Sequence, residues 1–265
     1  MFRVAALIPS PPILIPELCG GRPLVDPAHP AAEVPALRAA VLSAGRTLAE
    51  RAGHWIIVGA GAHPAVFGPE TVGTFRGFGA DVRAGLSRFA LSGAAADPSL
   101  PLAVLGGAAP DPMLPLPVLI GGWVRGQVAP AAVAQARIVA SDAPTERCRE
   151  VGATLRAELD AREEDCGVLV VADGAATLSL RAPGYLDPRA EAVQADIDRA
   201  LAAGDREALA RLDIELCAEL EVSGRAAFGV LAGLFDTAPE VETRYSAAPF
   251  GVGYQVSVWR PGGAV

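Results

Sequence analysis

The sequence predicts one α/β domain, a mixed central β-sheet flanked by helices on both faces and spanning residues 1–265. Three observations predict it. Short apolar runs alternate with stretches of helical periodicity, which is the order of an α/β sandwich. The runs stop at proline, glycine or an Asp-Gly pair, the residues that end strands. Neither an internal repeat nor a polar linker divides the 265 residues.

Phe2–Ile8 reads as a buried strand, stopped by Pro9, Pro11 and Pro12. From Glu33 to Arg51, Val34, Leu37, Val41, Leu42 and Leu48 recur at helical spacing, and Trp55–Val58 follows as a second strand. The stretch from Phe75 to Asp111 is rich in Pro, Gly and Ala and reads as extended segments and loops. Arg137–Ser141 reads as a strand. Ala143–Arg162 is a helix with Val151, Leu155 and Leu159 on one face and charge on the other. Gly167–Val171 is a strand that ends at Asp173-Gly174, a turn pair. Helices are expected over Pro188–Ala203, Arg206–Leu212, Ile214–Leu220 and Gly224–Leu234. Gly253–Trp259 closes the chain as a strand alternating Tyr254, Val256 and Val258 with Gln255 and Ser257.

Composition excludes several function classes. The chain is 51% hydrophobic and carries a formal charge of −8, and all 22 of its basic residues are arginine. Nucleic acid or an anionic membrane would call for clustered positive charge, so neither partner is expected. Cys19, Cys148, Cys166 and Cys217 form no C-x-x-C pair, which indicates neither a zinc knuckle nor a redox dithiol. The apolar start, M-F-R-V-A-A-L-I, is too short for a signal-peptide core. No uninterrupted apolar run reaches the ~20 residues of a membrane span. A soluble, cytoplasmic protein is the expectation.

Candidate chemistry centres on a few stretches. Gly59-Ala60-Gly61 after a strand matches half of a dinucleotide fingerprint, but Pro64 stands where the third glycine belongs and has no N–H to offer a phosphate. A nucleotide-binding protein is the weakest of three functional readings. Of the three histidines, His29 lies in a Pro-flanked loop and His54 between a helix and a strand. His63 follows a strand, where α/β proteins build their sites. Two longer strings are more distinctive: Asp173–Arg189, D-G-A-A-T-L-S-L-R-A-P-G-Y-L-D-P-R, and Ala248–Tyr254, A-P-F-G-V-G-Y.

These strings, with Pro9-Ser10-Pro11-Pro12 after the first strand and His63-Pro64-Ala65-Val66-Phe67 after the second, occur in an order that resembles the class III extradiol ring-cleavage dioxygenases. This is the family of protocatechuate 4,5-dioxygenase and the Memo-like proteins. The resemblance spans nearly the whole chain and is loose through residues 75–110. It implies a non-haem Fe(II) site of two histidines and a carboxylate with open positions for a catecholate and O₂, and a further histidine as acid/base.

Carried over position by position, it implies that Ser10 replaces the first histidine ligand and that His63 preserves the second. Ala247 stands at the carboxylate ligand, Ala176 at the acid/base histidine, and a position near Ala108 at another family histidine. Glu242 is a candidate substitute ligand through a shifted strand register. Asp173, Tyr185, Asp187, Arg189 and Tyr254 match family positions. Asp187 and Arg189 read as the start of a helix, and Asp173 as a carboxylate facing a pocket.

A cleft lined by Ser10, His63, Asp173 and Ala176 is therefore expected, with Tyr185 and Tyr254 as further pocket residues and Asp173 as the candidate catalytic group. The leading reading is a divergent member that has lost its Fe(II), needs no cofactor, and serves as a binding module for an unidentified small molecule or a protein, or runs a metal-independent reaction. The alternative is an active dioxygenase cleaving catechol-type diols with a remodelled metal site, His63 with Glu242 or Asp173. The resemblance also allows a homodimer.

Overall fold

The computed structural model describes residues 1–19, 29–92 and 109–262. The position near Ala108 lies outside them. The chain begins with β1 (Phe2–Ile8), and three short proline-started 3₁₀ turns, Pro12–Leu14, Pro16–Cys19 and Pro30–Glu33, are described before α1 (Val34–Arg51). Next come β2 (His54–Gly61), β3 (Ala65–Phe67), β4 (Val72–Thr74), β5 (Arg83–Gly85) and α2 (Arg88–Ser92). They are followed by α3 (Leu116–Val128), β6 (Val133–Ala140), α4 (Thr145–Asp160) and β7 (Cys166–Val171). Four helices, α5 (Ala190–Ala203), α6 (Arg206–Ala210), α7 (Ile214–Glu219) and α8 (Arg225–Gly233), precede the closing hairpin of β8 (Glu240–Ala247) and β9 (Tyr254–Arg260).

Seven of these strands form one mixed sheet in the order β3-β6-β2-β7-β1-β9-β8. The inner four, β6, β2, β7 and β1, run parallel, so their carboxyl ends share one edge of the sheet. β3 pairs antiparallel with β6 on one side, and on the other β9 pairs antiparallel with both β1 and β8. β4 and β5 make a separate small hairpin.

Side chains of β1 alternate between two cores, as the strand period of two requires. Val4, Ala6 and Ile8 pack with Leu37, Val41 and Leu48 of α1 and with Val118, Leu119 and Trp123 of α3. Ala5 and Leu7 pack on the other face with Leu155 of α4, Ile197 of α5 and Phe228 and Leu231 of α8. Burial on both faces explains why β2, β7 and, beyond Arg3, β1 are continuous apolar runs, whereas β6 alternates, with Gln135 and Arg137 only half-buried. Fully burying one such side chain stabilises the fold by roughly 1.5–3 kcal/mol.

On the second face α4 and α8 touch through their backbones. A Cβ on Gly152 would lie 2.2 Å from the carbonyl oxygen of Val230, so only glycine fits there. Among the described residues of 75–111, β5 is an extended segment as expected, whereas Phe75–Phe78 forms a 3₁₀ turn and Arg88–Ser92 the short helix α2. No helix among the described residues is long and apolar enough to cross a membrane.

Candidate functional site

The four parallel strands end together, and a cavity of about 580 Å³ opens at their carboxyl ends. Its walls come from Ser10 after β1, the segment following β2, Ile138 of β6, Val171–Asp173 after β7, Pro115–Pro117 at the start of α3, and Ser223 before α8. Loops at the carboxyl edge of a parallel sheet are where this architecture binds ligands. The lining is mostly apolar, with polar groups converging from Ser10, His63, Asp173 and Ser223.

Asp173 is the centre of this arrangement. Its Oδ1 accepts the main-chain N–H of Ser10 at 2.7 Å, and its Oδ2 accepts the Ser10 hydroxyl at 2.5 Å. Its own carbonyl accepts the N–H of Gly224 at 2.9 Å. One residue thus fastens the ends of β1 and β7 to the start of α8. Burial pushes the Asp173 carboxyl above the ordinary carboxylate range, while both hydrogen bonds from Ser10 pull the other way. No ion pair is formed by Asp173 among the described residues.

His63 is exposed, at the top of the turn that joins β2 to β3. Both strands pair with β6, on its opposite edges: Gly61 lies opposite Ala140, and Ala65 opposite Ile138. Residues 62–64 therefore arch over the end of β6. The glycines of this segment have packing reasons. A Cβ on Gly59 would fall 2.3 Å from Cβ of Pro117, and one on Gly61 2.9 Å from Cγ2 of Ile138. A third strand follows the arch instead of a helix, so a pyrophosphate would find no helix N-terminus there. This removes the structural support for the nucleotide reading of Gly59-Ala60-Gly61.

The structure brings Ser10, His63 and Asp173 to one cavity and leaves the other expected site residues outside its lining. Ala176 turns to the protein interior: its N–H donates to the carbonyl of Leu220 and its side chain packs on the core. Tyr185 adopts a left-handed backbone with φ 64° and is 62% exposed. Tyr254 is only 5% exposed and belongs to the core; burial, with the charge of Asp173 added, drives its phenol well above the ordinary range.

Asp187 and Arg189 form an exposed pair at 2.7 Å just before α5, with Glu219 also at 2.7 Å from the arginine. Ala247 stands opposite Tyr254 on the outer strand.

Glu242 is separated from the cavity by the fold itself. It lies on β8, the edge strand beyond β9, opposite Val258. The five residue steps from it to Ala247 amount to about 16 Å of strand at ~3.3 Å per residue. Its carboxylate is also engaged by Arg244 at 2.9 Å and Arg260 at 3.1 Å, which hold it below its usual range. No register shift supplies this carboxylate to His63.

The donor set does not fit Fe(II). Among the described residues no group of three or more His, Cys, Asp or Glu is placed to hold a metal ion. The cavity itself offers one imidazole and one carboxylate, and both oxygens of that carboxylate already accept hydrogen bonds from Ser10. A facial site needs three protein donors.

Two walls of the cavity were not foreseen from the sequence. Pro115–Pro117 belongs to L-P-L-P, where proline at the first helical positions is a start signal. Ser223 belongs to S-G-R, at the entry to α8. Both signals were readable as helix starts, but not as neighbours of Asp173.

Comparison with known proteins places the fold and nothing finer. No family model matches the chain, and no curated protein matches it. Among solved structures, the uncharacterized protein JW3007 from Escherichia coli K12 is similar over 97% of this chain and 99% of its own, with a TM-score of 0.51 and 15% identity. At that identity the likeness is one of fold: the same α/β architecture carried by a largely different sequence.

Proposed function

We propose that this chain is a divergent relative of the class III extradiol dioxygenases in which the iron site has been dismantled, and that the remaining cleft binds a small, largely apolar molecule. The observation that carries this reading is the commitment of Asp173 to Ser10. Ser10, the residue at the first ligand position of the resemblance, donates both hydrogen bonds to the one carboxylate in the cleft. A serine hydroxyl that donates to a carboxylate is a poor metal ligand. The pair closes the floor of the cleft, and His63 and Ser223 remain at its rim to meet polar groups of a ligand. A cytoplasmic setting accords with the four unpaired cysteines.

The test is binding without metal. In ¹⁹F NMR titrations with chelator present, 4-fluorophenol should bind the wild-type protein, and Ala62→Trp, which fills the cleft from its exposed rim, should abolish that binding. Anaerobic loading with Fe(II) followed by desalting and elemental analysis should leave far less than one iron per chain. Stoichiometric, retained iron together with oxygen uptake on catechol would overturn the reading in favour of an active dioxygenase.

A further inference from the structure

Beside the cleft lies a second cavity, of about 350 Å³, and Ser223 lines both. Its most unusual wall is Arg225, which is only 5% exposed. The two buried arginines among the described residues differ in how they are satisfied. Arg125 spends its guanidinium on three carbonyls, those of Gly85, Pro130 and Ala132, and is a structural clamp. Arg225 donates only through Nη2, to the carbonyls of Ser141 at 2.7 Å and Ala143 at 2.6 Å.

Nε and Nη1 of Arg225 have no acceptor among the described residues, and neither is among the sealed, unpartnered side-chain atoms, which are Arg125 Nη2, Tyr245 OH and Gln255 Oε1. Those two groups therefore keep accessible surface, on a residue that lines the cavity. No carboxylate lies within ion-pair distance of Arg225 among the described residues. A buried guanidinium without a counter-charge has lost hydration that only an anion or strong acceptors restore.

The surroundings reinforce the positive field. Arg225 is the first residue of α8, a helix of nine residues with no side-chain cap and no acidic residue in its first turn. Phe228 N–H makes the helix's first bond across four residues, to the Gly224 carbonyl, so the N–H groups of Ala226 and Ala227 have no main-chain acceptor among the described residues. A helix start of this kind favours negative charge. Asp142 and Glu221 also line the cavity, beyond ion-pair distance. Their carboxylates would repel a dianion more than a monoanion, which narrows the ligand class.

We infer that Arg225 forms an anion subsite adjoining the cleft, and that the natural ligand is an amphipathic monoanion: an apolar body in the main cleft with a carboxylate reaching past Ser223 to the guanidinium. The inference rests on the cleft reading for the apolar body, whereas the anion subsite stands on Arg225 itself.

The test compares 4-fluorobenzoate with its neutral counterpart 4-fluorobenzamide by ¹⁹F NMR titration. Wild-type protein should bind the benzoate about tenfold more tightly, the size of one charge-assisted hydrogen-bonded contact. Arg225→Gln should abolish the preference. Because Nη2 also holds two carbonyls, Ser223→Glu serves as a second variant: it sets a carboxylate on the exposed wall between the cavities and should reverse the preference without disturbing the fold. Benzoate binding no tighter than benzamide, or a preference that survives in Ser223→Glu, overturns the anion subsite. Benzamide binding with no gain for benzoate removes this inference and leaves the cleft reading standing. Benzoate binding that depends on Ser223, with no benzamide binding, does the opposite.

Discussion

The two ends of the parallel strands treat their carboxylates in opposite ways. At the amino end, Asp165 meets Arg3 at 2.6 Å, and Asp160 meets Arg156 at 2.5 Å while also accepting the Phe2 N–H at 3.0 Å. Burial alone would raise Asp160, but Arg156, the Phe2 N–H and the nearby amino terminus outweigh it and hold the carboxyl below its usual range. At the carboxyl end, Asp173 meets only a serine, and burial holds it above that range. The amino end is built for charge neutralisation in water. The carboxyl end keeps a carboxylate without an ion-pair partner among the described residues, next to a cavity.

The largest expected effect sets the scale for both ends. Leu7 is fully buried in the strand that joins them, and Leu7→Ala should cost about 2–5 kcal/mol in urea denaturation, whichever end is later altered. Next comes the contrast itself. Asp173→Ala leaves the Ser10 N–H and hydroxyl without their acceptor and should cost about 1–3 kcal/mol. Asp160→Ala removes a partly exposed pair and one main-chain acceptor, and should cost at most about 1 kcal/mol. Equal losses from the two variants would erase the distinction drawn between the ends.

Acidity sharpens it further, because the two carboxylates should respond with opposite signs. Asp173 has a raised folded-state pKa. Its native form binds the proton more readily, so its contribution is complete below the unfolded value of ~3.9 and is lost as pH rises through the folded value. The stability of wild type relative to Asp173→Asn should therefore decline with rising pH. Asp160 has a lowered pKa, so its contribution is present above ~3.9 and is lost as pH falls through the folded value. Wild type relative to Asp160→Asn should gain with rising pH, and a denaturation series across pH for the three proteins checks both slopes. The smallest effect belongs to His63→Ala, which should move stability by less than about 0.5 kcal/mol because the ring is exposed. The same variant should weaken 4-fluorophenol binding if the imidazole meets the ligand.

Elements with one clear face were legible in the sequence to within a few residues: α1, α4 and α5 each carry an apolar stripe against polar exposed positions. α3 was not. Its residues from Val118 to Arg125 are all buried, so no polar face breaks the apolar run into a period, and three glycines and a proline further disguise it. β8 escaped for the opposite reason, since as an edge strand it is charged and exposed along most of its length. The loops that bear Ser10, His63 and Asp173 could be read as strand ends. Their meeting, 163 residues apart for Ser10 and Asp173, follows from β7 inserting between β1 and β2, a strand order that local pattern does not encode. Ala176 and Tyr185 fell outside the cavity lining because the chain after Asp173 departs at once to bond with Gln194 and Leu220, and Tyr254 because its strand position turns the ring into the core.

The arch over β6 has a consequence for the placement of His63. With each foot stitched to a different edge of one strand, it can rise only by unzipping a parallel ladder on one side or an antiparallel one on the other. His63 is thus carried at the cavity wall on a doubly anchored arch, and the backbone that bears it changes position only with a loss of sheet pairing.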